Sequence, residues 1–102
     1  MENTASFEVR VERYLEDLIP DYLSNRRKEV AQLATAFESG NFDAIAQLTH
    51  RMIGVGTPYG FNHVTDVARK LREAALARDE TTLSTILTDY RDYVAKIRVI
   101  FE

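Results

Sequence analysis

Few residues in this chain are suited to covalent chemistry at neutral pH. The sequence of 102 residues has no cysteine and two histidines, His50 and His63. Without thiols there are no disulfides, no thiolate nucleophiles and no Cys-based metal sites. The histidines are far apart and form no His-xxx-His pair, so no metal site is expected. His50 has the unusual surroundings, Thr49-His50-Arg51-Met52-Ile53-Gly54-Val55-Gly56-Thr57-Pro58-Tyr59-Gly60-Phe61. On a helical wheel at about 100° per residue with Phe42 at zero, the apolar set Phe42, Ile45, Leu48, Thr49, Met52, Gly56 and Tyr59 centres near about 300°, and His50 falls near about 80°. It therefore faces solvent among small side chains, with Ala46 one turn before, Gly54 one turn after and Thr57 two turns after. A glycine inside a helix costs roughly 0.5–1 kcal/mol against alanine. An outward Gly54 makes no room for a core neighbour; it lets another surface approach the imidazole. A neutral imidazole nitrogen, open to a docked protein, suits nucleophilic attack on phosphorus.

Amphipathic helices must hold that residue in place. The first follows Pro20, with the stripe Ile19, Leu23, Val30, Leu33, Ala34, Phe37, and stops at Ser39-Gly40. A short helical turn precedes it (Tyr14, Leu15, Leu18). The second starts at Asn41, a good cap, and runs to Gly56 or Tyr59, with Pro58 bringing a kink or an early end. The third starts after Asn62 with Val64, Val67, Ala68, Leu71, Ala74 and Ala75 inward, and His63 exposed in its first turn. The fourth starts near Thr81 or Thr82 and carries Leu83, Ile86, Leu87, Tyr90, Val94, Ile97 and Phe101. Connections this short make neighbouring helices antiparallel. The expected fold is all-α, an antiparallel up-down-up-down four-helix bundle over residues 13–102. Residues 1–12 form an extended N-terminal arm or helix lead-in: Phe7-Glu8-Val9-Arg10-Val11-Glu12 alternates like a strand but has no evident partner.

Composition narrows the function. The 13 Lys and Arg against 16 Asp and Glu give a net charge of −3, which argues against a nucleic-acid binder. No apolar run reaches membrane-spanning length, so no membrane association is expected. The start, Met1-Glu2-Asn3-Thr4-Ala5-Ser6, has neither a basic n-region nor an apolar h-region, and the expectation is a cytoplasmic single domain. Gly54-Val55-Gly56-Thr57-Pro58-Tyr59-Gly60 echoes a dinucleotide-binding loop, but no strand precedes it. Asn25-Arg26-Arg27-Lys28 reads as a solvated face or partner contact. The tyrosines and phenylalanines fall mostly at core spacing.

The run from His50 to Phe61 resembles the signature of histidine-containing phosphotransfer (HPt) domains: His, any residue, Leu or Met, Lys, Gly, any residue, a small residue, three more residues, Gly. His50, Met52, Gly54, Gly56 and Gly60 match in place. Leu18-Ile19-Pro20-Asp21-Tyr22-Leu23-Ser24-Asn25-Arg26-Arg27-Lys28 resembles the entry to the first long helix of bacterial HPt proteins, and Gly40-Asn41-Phe42-Asp43 the turn before the histidine helix. The likeness spans roughly residues 12–102. It implies a four-helix bundle, His50 as phosphoacceptor, and Gly54 as clearance for a receiver domain. It also implies transfer between receiver aspartates with no independent kinase or phosphatase activity. No cofactor of its own is implied, because the divalent metal belongs to the receiver. The partners implied are response-regulator receiver domains and a hybrid histidine kinase; a monomer is expected because the apolar stripes are used internally.

One departure stands out. The Lys of the pattern is Ile53 here, which neither neutralises a phosphoryl group nor disfavours imidazole protonation. Arg51, Arg69 and Arg72, with Arg26 and Arg27 further off, are candidate replacements. Ala46, Arg51, Ile53, Gly54, Thr57, Arg69 and Arg72 form the expected docking surface. The competing reading is a non-catalytic module that binds a receiver or kinase and transfers weakly because of Ile53.

Overall fold

The computed structural model describes residues 7–54 and 57–102. Among the described residues there are four α-helices and two short strands: β1 (Phe7–Val11), α1 (Ile19–Glu38), α2 (Phe42–Ile53), α3 (Asn62–Leu76), α4 (Glu80–Ala95) and β2 (Ile97–Phe101). Short 310 turns at Arg13–Leu18 and Thr57–Tyr59 lead into α1 and α3.

Local chemistry explains the helix ends. Pro20 sits in the first turn of α1, where its missing N–H costs nothing. At the other end, the Gly40 N–H donates to Phe37 and the Asn41 N–H to Ala36, at 3.0 and 2.8 Å. Gly40 takes φ +67°, so this is a Schellman stop that needs a left-handed residue. Asn41 then caps α2, its Oδ1 accepting from the Ala44 N–H at 3.0 Å. Asp79 caps α4 through the Thr82 N–H at 3.1 Å.

The core lies between the helices. The inward face of α3 is the expected one: Val64, Val67, Ala68, Leu71, Ala74 and Ala75 are all buried. α1 packs on α2 and α4, and α3 packs on α4 and most extensively on α2. The buried face of α1 is rotated from the expected stripe, with Ile19, Tyr22, Arg26, Leu33 and Ala36 inward. Leu23, Val30 and Phe37 flank it, partly buried.

Two expectations are corrected. The segment at 7–11 is not a bare arm, and α4 does not run to Phe101. Ile97–Phe101 leaves the helix and pairs in parallel with β1, Phe7 opposite Ile97 through Val11 opposite Phe101. Ile97 and Phe101 are four apart, a spacing that fits one face of a helix and, with Val99 between, one face of a strand. The β-branched run and a partner at the other end of the chain decide for the strand. Val11 is buried, Val9, Ile97, Val99 and Phe101 pack against the core, and the Phe7 ring lies 5.2 Å from that of Tyr93. Arg98–Glu8 and Arg10–Glu102 ion pairs flank the ribbon.

Candidate functional site

α2 points its residues in two directions. Ile45, Thr49 and Met52 are buried. The Thr49 hydroxyl donates to the Ile45 carbonyl at 2.8 Å and approaches that of Ala46 at 3.1 Å, so a polar residue is buried without an orphaned group. With Thr49 and Met52 inward, His50 is turned outward and is exposed. The reading of His50 as a surface residue of the second helix therefore agrees with its position.

The helix is shorter than expected. It ends at Ile53, with Gly54 as C-cap at φ −90° and ψ −3°. His50 and Arg51 thus stand in its last turn. The Ile53 carbonyl, one of those that a helix end leaves without an intrahelical partner, accepts from the Thr65 hydroxyl of α3 at 3.2 Å. That bond ties the end of α2 that bears His50 to the neighbouring helix. A Cβ built on Gly54 meets nothing within 4 Å among the described residues. With an ordinary helical φ as well, neither backbone conformation nor internal packing requires glycine there, and the space beside it is open.

His50 lines a shallow surface cleft of about 460 Å³ together with Ala46, Gln47, Arg51 and Arg72. Four of these come from consecutive turns of α2, and Arg72 reaches in from α3. Among the described residues no carboxylate lines the cleft. Elsewhere, Arg10, Arg13, Arg26, Arg78, Arg98 and Lys96 each have a carboxylate within 4.0 Å. Among the described residues Arg51 and Arg72 form no such pair, and neither do Arg27, Arg69 and Arg91. The Arg72 Nε is buried and has no hydrogen-bond partner among the described residues.

The other candidates separate. Ile53 is half-buried and packs against the core, so it contributes an apolar edge. Arg69 is exposed one turn before Arg72 and does not line the cleft. The Thr57 side chain and Gly56 lie outside the described residues. Gly60 is needed for the fold: it takes φ +87°, and a Cβ there would lie 3.1 Å from the Arg10 carbonyl oxygen of β1.

Arg26 is not on a solvated face. It is 5% exposed, pairs with Glu29 at 2.7 Å, and lies 4.4 Å from the centre of the Tyr22 ring. Burial pushes the Glu29 carboxyl above its ordinary range even though the Arg26 guanidinium opposes it. Sequence reasoning missed this cluster. The usable signal was Tyr22 and Arg26 one turn apart with Glu29 three further on, all on the face that Leu33 extends.

Among the described residues no group of three or more His, Asp or Glu is arranged to hold a metal ion, and no helix is long and apolar enough to cross a membrane. No family model, curated protein or solved structure matches this chain.

Proposed function

We propose that this chain is an HPt protein that carries a phosphoryl group on His50 between receiver-domain aspartates of a multistep two-component pathway. The observation that carries this reading is an exposed imidazole on a tethered helix end, in a cleft with two arginines that form no ion pair among the described residues, and with open space beside Gly54. The resemblance of residues 50–60 to the HPt signature supports it independently of the coordinates. In this reading the four helices form an antiparallel up-down-up-down bundle in a cytoplasmic monomer.

The step balances as a simple exchange. The unprotonated nitrogen of a neutral His50 attacks the phosphorus of the receiver's aspartyl phosphate. An N–P bond forms while the bond from phosphorus to the carboxyl oxygen breaks. The electron pair leaves with the aspartate as carboxylate, and the proton on the other ring nitrogen stays on the resulting imidazolium. The return step to a second receiver reverses this. The receiver supplies aspartate and divalent metal; this chain supplies nucleophile, position and docking face.

The test is transfer of label from a receiver charged by a radiolabelled hybrid kinase. Acid-labile, alkali-stable label on the wild type and none on His50→Gln is the expected result. No label on the wild type overturns it. A second reading, a receiver-binding module with weak transfer, is favoured by Ile53 packing inward and offering no cation. A large gain in transfer by Ile53→Lys with unchanged receiver binding would select it.

A further inference from the structure

We propose that Arg72, on α3, is the residue that holds the phosphoryl group on His50, with Arg51 assisting, in place of the lysine that position 53 does not provide. The assignment rests on the proposed phosphocarrier reading and picks one arginine from several that the sequence leaves equivalent. Three features of the cleft carry it. First, among the described residues Arg72 is the one from outside α2 that lines the cleft with His50. Arg69, one turn away, does not line it, and Arg26 is buried against Glu29. Second, Arg72 is uncommitted. Among the described residues it has no ion pair or hydrogen bond, and its Nε is buried without a partner. A planar guanidinium with free donors takes a phosphoryl group through paired N–H···O bonds. Third, the position of His50 calls for such a cation. The residue lies in the last turn of α2, at the negative end of the helix dipole, where an added dianion is disfavoured unless nearby cations offset it.

The consequence is a division of labour between helices. α2 presents the nucleophile and α3 the counter-charge. The Thr65 hydroxyl bonded to the Ile53 carbonyl at 3.2 Å fixes the two elements to each other beside the site. Ile53 can then pack against the core without the site losing its cation.

The experiment avoids any receiver. The full chain is charged chemically with phosphoramidate, and phosphohistidine decay is followed by phosphorus NMR. For Arg72→Gln the lifetime at neutral pH should fall about threefold to tenfold, the range for losing one nearby charge in a partly exposed cleft. Arg72→Lys should recover part of it, and Arg69→Gln should match the wild type. In parallel, inorganic phosphate is titrated into the uncharged protein. The Arg72 Nε–H and His50 signals should shift in the wild type, and the His50 shift should be lost in Arg72→Gln. Arg72→Gln and wild type alike in both measurements would overturn the assignment. So would an effect of Arg69→Gln equal to or larger than that of Arg72→Gln. If His50 takes no phosphoryl group from the donor, the carrier reading falls, and the role of Arg72 on phosphohistidine falls with it. If the chain charges normally but no receiver discharges to it, the docking role fails while Arg72 stands.

Discussion

Gly54 and Glu29 show how differently single residues serve this molecule. Gly54 has an ordinary backbone conformation and open space where a side chain would go. Gly54→Ala should leave thermal stability unchanged or slightly raised, because alanine restricts the unfolded chain. Transfer from a receiver should nevertheless drop by roughly tenfold or more, about 1.4 kcal/mol of lost docking. Thermal unfolding beside a transfer time course checks both parts. Glu29 has the opposite profile, since it neutralises a guanidinium that is 5% exposed. Glu29→Ala leaves that buried charge without a carboxylate and should cost about 3 kcal/mol or more in urea unfolding. The Tyr90 hydroxyl, in contrast, is buried with no hydrogen-bond partner among the described residues. Tyr90→Phe should stay within about 1 kcal/mol of the wild type, because no bond is broken. At this scale the exposure of His50 was legible in the sequence, through its small neighbours and angle on the wheel. Which arginine of α3, Arg69 or Arg72, lines its cleft was not. That choice depends on how α3 is rotated against α2, which no local pattern encodes.

Secondary-structure elements were legible where local signals agreed. Asn41 and Pro20 marked helix starts and Gly40 marked a stop, because caps act within a few residues. The end of α2 was overestimated, since Met52, Gly56 and Tyr59 keep helical spacing past the point where Gly54 closes the helix. β2 was hidden for a different reason. Its apolar residues satisfy two periods at once, and the strand exists because β1, at the far end of the chain, accepts it. The junction of that ribbon with the helices depends on Gly60, whose φ is +87° and whose missing Cβ would press on the Arg10 carbonyl. Gly60→Ala should therefore destabilise by roughly 1–3 kcal/mol. Amide exchange should show the loss first in β1 and β2, because the added methyl pushes on the strand backbone.

For the molecule as a whole, four helices enclose one core, and the chain's two ends are drawn together by a parallel ribbon. Tyr22, Tyr90 and Tyr93 are part of that core. Burial pushes Tyr93 up to about 12, and Tyr90 is also pushed well up by burial. In the unfolded chain both hydroxyls ionise near about 10. Above that pH the unfolded state releases protons that the folded state retains. Stability is therefore fully present below about pH 10 and falls as pH rises through about 12. Urea midpoints measured across this range should decline, and Tyr90→Phe should flatten the decline. A pH-independent midpoint would contradict the burial of these hydroxyls.

A pulse–chase through two receivers follows the proposed carriage of a phosphoryl group by the whole molecule. Label is loaded on one receiver, this chain is added, and a second unlabelled receiver follows. The expected sequence is loss from the first receiver, transient acid-labile label on this chain, and gain on the second, with His50→Gln blocking the last two steps. Label that never reaches this chain, from several receivers competent toward another phosphotransfer protein, would contradict the account.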